Sequence, residues 1–182
     1  LPEIESERQA KLHLLSQVMP ASLHDNDLLS DNLDLPATPE LGLKSGAKIY
    51  RARMKGVPAG VVLEAVAPDG YTGEIKLLIG VAVDGSLTGV RVLAHKETPG
   101  LGDYIELAHS DWIKHFDGQS LAKIPDEGWK VKKDGGQFDY MTGATITPRA
   151  VVKAVHKALK YYEQSHEQLF ATDATKQEGE NA

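Results

Sequence analysis

The residues best suited to chemistry stand together at Asp139–Pro148, D-Y-M-T-G-A-T-I-T-P, directly before an amphipathic helical pattern. Three threonine hydroxyls lie within six positions. Thr147 before Pro148 reads as a helix start, with threonine as the N-cap and proline at the first helical position, where its missing N–H costs nothing. That leaves Thr142-Gly143-Ala144-Thr145 unaccounted for. Gly143 allows a backbone conformation closed to other residues, and Ala144 keeps the local surface low. The N–H groups of the turn and helix start, with the helix dipole, favour an anion there. A hydroxyl at Thr145 would then sit where a phosphate is already stabilised. On pattern alone, plain capping and phosphate binding both stay open.

A second stretch, His95–Asp103, reads H-K-E-T-P-G-L-G-D. Pro99, Gly100 and Gly102 specify a tight loop with Leu101 held between two glycines. Such a loop either presents backbone groups and one apolar side chain to a flat ligand or tucks Leu101 into the core as an ordinary turn. Other chemistries find little support. The absence of cysteine excludes disulfides, thiolate catalysis and iron–sulfur clusters. The seven histidines include no H-E-x-x-H and no close pair with a third ligand, so no metal site is expected. Gly100-Leu101-Gly102 lacks the third glycine and following helix of a dinucleotide fingerprint. Ser110, Asp111 and His115 read as helix decoration, and Gly135-Gly136 as a turn.

The elements that must position these loops belong to a chain of 182 residues, enough for one domain with a core. A formal net charge of −6 without a basic stripe argues against nucleic acid as a partner. The longest good apolar run, Leu77 to Val83, is strand-sized and far short of a bilayer span. Glu3 to Met19 has helical spacing, with Ser6 and Gln9 as a capping box, and reads as a free-standing or surface-lying helix. Ala21 to Gly46 is turn-rich. Strands are expected at Ile49–Met54, Gly60–Val66, Ile75–Val83 and Leu87–Leu93, the last two joined as a hairpin by Asp84-Gly85-Ser86. Leu107–Phe116 reads as a short helix and Trp129–Lys132 as another strand. Pro148–Tyr162 is a helix with Val151, Val152, Val155, Ala158, Leu159 and Tyr162 on its apolar side. Beyond Gln164 the composition turns polar. A β-rich middle closed by a helix implies an α+β fold with an antiparallel sheet core and flanking helices.

Asp139–Thr145 matches the D-x-x-[ST]-G-A-T pattern of the FMN-binding domain family, which carries its flavin as a phosphoester on threonine. E-T-P-G-L-G-D at Glu97–Asp103 resembles the same family's second signature. Within it, D-G-Y-T-G at Asp69–Gly73, W-K-V-K-K-D-G-G at Trp129–Gly136 and T-G-A-T-I-T-P-R-A-V-V at Thr142–Val152 are similar to the G subunits of Rnf (also called Rsx) electron-transport complexes. The resemblance runs from about Glu3 to Tyr162.

It implies the FMN-binding domain fold, with FMN esterified to Thr145 by a separate flavin transferase and Asp139 in the recognition pattern for that transfer. Thr142, Gly143 and Ala144 would shape the attachment turn. The loop of Thr98, Pro99, Gly100 and Leu101 would lie beside the isoalloxazine. Lys130 would place a positive charge near the flavin, a solvated strand residue being the open alternative. No residue is expected to act catalytically on a substrate. The implied organisation is a juxtamembrane helix at 1–20, a linker or wrapping loop at 21–46, the FMN-binding domain at 47–164 and a disordered tail at 165–182. The implied partners are the other Rnf/Rsx subunits and the flavin transferase. The place is the periplasmic side of the inner membrane, reached through a transmembrane helix absent from this chain. The competing reading is a periplasmic interaction module whose threonine turn is only structural.

Overall fold

The computed structural model describes the backbone of residues 2–181 and the side chains of residues 3–171. Among the described residues, β1 (Asn32–Leu35), β2 (Ala47–Met54), β3 (Val57–Ala67), β4 (Ile75–Ala82) and β5 (Leu87–Ala94) form one antiparallel sheet in sequence order. Helix α1 (Pro2–Val18) and helix α2 (Ile146–Asn181) complete the α+β fold. The Asp84-Gly85-Ser86 turn joins β4 to β5 as its chemistry predicts. Gly85 takes φ 92°, and the Asp84 carboxylate accepts the Ser86 N–H at 3.0 Å and hydroxyl at 2.7 Å.

Alternation along the strands makes the sheet two-faced. Ile49, Val61, Leu63, Leu77 and Ile79 point into the main core, where Val151, Val152, Val155, Ala158 and Leu159 of α2 meet them. Tyr50, Ala52, Val62 and Leu78 point the other way, against Leu15, Val18 and Met19 of α1. The first helix is therefore docked, not free-standing. Its end lies so close to the sheet that only glycine fits beneath: a Cβ at Gly80 would stand 2.2 Å from the Val18 carbonyl oxygen. The Thr88 hydroxyl donates to that same carbonyl. Because α1 begins at Pro2, Ser6 and Gln9 lie inside it and form no capping box.

The expected linker at 21–46 also contributes structure. It supplies edge strand β1, and Asp31 just ahead of β1 pairs with Arg51 at 2.8 Å and Arg53 at 2.6 Å on β2. A buried guanidinium needs such partners, and Arg51 gains another by donating to the Leu169 carbonyl at 3.2 Å. That bond belongs to the stretch expected to be a disordered tail from 165. Helix α2 instead continues through it, and Leu169 is 3% exposed. Tail side chains from 172 onward lie outside the described residues.

Between β5 and α2 the chain runs through short 3₁₀ turns instead of the expected helix and strand. Only Trp112–Phe116 of the predicted 107–116 helix is helical, as a 3₁₀ turn, with the Ser110 hydroxyl accepting the Trp112 N–H at 3.1 Å. The predicted strand at 129–132 makes a single bridge, Val131 to Phe138. Gly136 folds the segment back so tightly that a Cβ there would lie 1.9 Å from the Lys130 oxygen. Aromatic packing holds this irregular region: Tyr104 meets Trp112 edge-on, Trp112 meets Phe116, and Phe138 packs on both Phe116 and Trp129.

Candidate functional site

Helix α2 begins two residues earlier than the proline suggests. Its first residue is Ile146, and the Thr145 carbonyl accepts the first helical bond from the Arg149 N–H at 3.2 Å. Thr145, not Thr147, is thus the N-cap residue. Pro148 still falls in the first turn, where no N–H is required. The N–H groups of Ile146 and Thr147 have no intrahelical partner by virtue of position, and with the helix dipole they make the surroundings of Thr145 favourable to an anion.

The T-G-A-T turn itself is tightly braced. Gly143 adopts φ 84°, and a Cβ there would meet nothing within 4 Å, so glycine is required by conformation and not by crowding. The Ala144 N–H donates to the Met141 carbonyl at 3.0 Å. Across the turn, the Tyr104 hydroxyl donates to the Ala144 carbonyl at 2.8 Å and accepts the Met141 N–H at 3.2 Å. Burial pushes the Tyr104 hydroxyl above its ordinary pKa, so it remains a donor through the physiological range. Just upstream, the Trp112 indole N–H donates to the Asp139 carbonyl at 2.8 Å. The Asp139 side chain is exposed and pairs with Lys132 at 2.6 Å, an interaction that holds its carboxyl below the usual range.

Tertiary folding brings the two chemically suggestive stretches together. A cavity of about 140 Å³ is lined by Thr98, Leu101 and Gly102 from one, Gly143, Ala144, Thr145, Ile146 and Thr147 from the other, and Tyr71 from the β3–β4 connection. Leu101 is 53% exposed, so it is held outward and not tucked into the core. Thr142, Pro99 and Gly100 belong to the same two turns, exposed beside the cavity without lining it. Gly100, with φ 80°, is fixed by its N–H bond to the Asp103 carboxylate at 3.0 Å. Lys130 is not brought to the cavity. It sits exposed in the 128–138 fold, where its carbonyl accepts the Phe138 N–H at 3.1 Å.

Two participants escaped sequence reading although their motifs were in view. Tyr71, from D-G-Y-T-G, is 69% exposed and lines the cavity. Glu97, from E-T-P-G-L-G-D, is 4% exposed and accepts the Thr147 hydroxyl at 2.5 Å and the N–H groups of Tyr71 and Thr72, each at 2.9 Å. Burial pushes its carboxyl up, but the bonds from Thr147 and Thr72 and the two backbone donors outweigh that and hold it below its ordinary value. Among the described residues no group of three or more His, Cys, Asp or Glu could hold a metal ion.

The cavity suits a phosphoryl group with an attached flat ring. It offers a partly exposed threonine at the positive end of a helix, a glycine turn with open space above it, the aromatic side chain of Tyr71 and the apolar side chains of Leu101 and Ile146. Pockets that engulf cofactor-sized ligands run to roughly 300–1,000 Å³. At about 140 Å³ this one can seat only part of such a ligand and leaves the remainder at the surface.

Comparison with known proteins agrees with that chemistry. Residues 70–160 match the FMN-binding domain family. The chain is 52% identical over 169 residues to the G subunit of the ion-translocating oxidoreductase complex from Pseudomonas aeruginosa (strain UCBPP-PA14), covering 93% of this chain and 79% of that protein. It is 48% identical over 170 residues to the protein of the same name from Vibrio atlanticus (strain LGP32), covering 93% and 81%. With that of Shewanella baltica (strain OS223) the identity is 46% over 167 residues, covering 92% and 79%.

Proposed function

The chain belongs to the FMN-binding domain family, among the G subunits of ion-translocating oxidoreductase complexes, and from that premise we propose that it is the flavin-bearing electron carrier of such a complex, with FMN held as a phosphoester on Thr145. The observation that carries the reading is the position of Thr145: N-cap of α2, partly exposed, and opening on the cavity that Leu101 and Thr98 share.

FMN, when bound, supplies reversible electron transfer, and the protein supplies position and electrostatics. The first-turn N–H groups of α2 and the Gly143 turn would hold the phosphate charge, and the Tyr104 bonds across that turn keep it from opening. Thr98, Gly102, Leu101 and Tyr71, which line the cavity, would border the ring. Attachment requires a flavin transferase and an activated flavin phosphate donor. The Thr145 oxygen–phosphorus bond forms as the bond to the donor's leaving group breaks, and the hydroxyl proton passes to the transferase. Asp139, exposed two residues ahead of the Met141–Ala144 bridge, is available for recognition by that enzyme. A covalent link removes dissociation, so a shallow cavity suffices and the ring stays accessible to the neighbouring subunits. The chain works on the periplasmic side of an inner membrane, where a ligand lost by dissociation is not recovered.

Intact-mass measurement after co-expression with a flavin transferase tests the reading. The expected result is a mass increase of one FMN, abolished in Thr145→Ala. An unmodified wild-type chain in the presence of active transferase overturns it and leaves the turn a purely structural one.

A further inference from the structure

The cavity's walls come from three separate parts of the chain, and one carboxylate joins them. Oε1 of Glu97 accepts the Tyr71 N–H at 2.9 Å and the Thr147 hydroxyl at 2.5 Å. Oε2 accepts the Thr72 N–H at 2.9 Å and lies against the Thr72 hydroxyl, which also meets the Lys96 carbonyl. The Glu97 N–H donates to His95 Nδ1 at 2.9 Å, and His95 Nε2 faces Glu106. No room is left around this junction: a Cβ at Gly102 would lie 2.8 Å from the Thr147 hydroxyl oxygen and 3.0 Å from the Glu97 Cβ.

A buried charge is a poor means of adding stability, because desolvation cancels much of what its bonds contribute. It is a good means of fixing geometry, since every donor must stay in place or lose its partner. Two of the donors, Tyr71 and Thr147, line the cavity, and Glu97 itself starts the loop that carries Thr98 and Leu101. The Glu97 bonds fix the backbone at Tyr71 and Thr72, and from that anchored backbone the Tyr71 side chain, 69% exposed, borders the cavity. A solvent-facing tyrosine on an anchored backbone, beside an outward leucine, offers a platform for a flat aromatic ligand.

We propose that Glu97 is the positioning residue of the flavin site: by tying the Tyr71 backbone to the first turn of α2 it holds the Tyr71 ring against the isoalloxazine of a flavin carried on Thr145. This rests on the attachment reading above. Glu97→Gln keeps one acceptor oxygen but turns an amide donor toward a backbone N–H. One of the two loop donors is then orphaned and the Tyr71 loop released. Thr147→Ser keeps the hydroxyl that Glu97 accepts, whereas Thr147→Val deletes it.

The test uses the flavinylated protein, with attachment read by intact mass, folding by circular dichroism and ring contact by flavin fluorescence, which a stacked tyrosine quenches. Tyr71→Leu is expected to raise emission several-fold, Glu97→Gln to raise it toward the same level, Thr147→Val to raise it less, and Thr147→Ser to leave it at the wild-type level. The double variant Tyr71→Leu with Glu97→Gln should emit no more than Tyr71→Leu alone, because Glu97 acts through Tyr71. Wild-type emission from fully flavinylated, folded Tyr71→Leu overturns the proposal, as does wild-type emission from Glu97→Gln. Should Glu97→Gln not fold, unchanged emission from Thr147→Val overturns it in the same way. A wild-type chain lacking the FMN mass fails the attachment reading instead, and the proposal falls with it.

Discussion

The Thr147 hydroxyl donates to the Glu97 carboxylate at 2.5 Å in the interior, joining residues 50 positions apart. Proline at 148 makes Thr147 look like a helix cap, but its side chain points inward and ties the helix start to the loop after β5. The cap is Thr145, which leaves the hydroxyl outside the core and near the cavity. Helix start, loop and tyrosine wall thus depend on a single buried anion.

That anion makes the fold acid-sensitive in a defined direction. The Glu97 carboxyl is held below its ordinary value of 4.5, so its contribution is complete above that pH and is lost as pH falls through the lower folded value. Urea unfolding midpoints measured from neutrality downward should fall more steeply below pH 4.5 in the wild type than in Glu97→Gln. Parallel curves would show that Glu97 is not the group being titrated.

Tyr104→Phe removes one hydroxyl that braces both sides of the attachment turn. The expected loss is about 1 kcal/mol of stability, with slower FMN incorporation by the transferase at unchanged final stoichiometry. Chemical denaturation and a time course of intact mass measure the two effects separately.

Leu101→Ala tests whether the exposed leucine borders the flavin. Attachment should proceed as in the wild type, while the visible spectrum or midpoint potential of the bound flavin shifts. Spectroelectrochemistry giving identical curves would remove this loop from the ring's surroundings.

Gly80→Ala places a Cβ 2.2 Å from the Val18 carbonyl oxygen and 2.3 Å from the Thr88 hydroxyl oxygen. Helix α1 must shift away, at a cost of roughly 1–3 kcal/mol. Limited proteolysis should then cut within α1 faster than in the wild type, while the yield of flavin attachment holds, since α1 lies on the sheet face opposite α2.

Leu169→Ala distinguishes a packed helix from a loose tail. Leu169 is buried in the main core, and its removal should cost about 2–3 kcal/mol. A melting temperature equal to that of the wild type would mean that this turn of α2 contributes nothing to the fold.

What could be read in the sequence was whatever local periodicity and turn chemistry dictate. The four core strands, the Asp-Gly hairpin and the apolar stripe of α2 all repeat at short range, and each formed as its pattern required. The irregular stretch from 95 to 145 resisted that reading because it is held by contacts between distant residues. Trp112 reaches the Asp139 carbonyl, Trp129 the Ile124 carbonyl, and Gly136 folds onto Lys130. Edge strand β1 was equally hidden. Four residues carry little periodic signal, and pairing with β2 selects them.

The residues by themselves determined that a hydroxyl, a glycine turn and a helix start stand in line around Thr145, and that Leu101 sits between two glycines, because spacing along the chain is a covalent fact. Tertiary structure alone decided which threonine caps the helix, that Tyr71 lines the cavity with Glu97 bonded behind it, and that Lys130 does not line it. Those outcomes depend on which groups approach through space, and a buried carboxylate can gather donors from three segments only once the sheet has brought them within hydrogen-bonding distance.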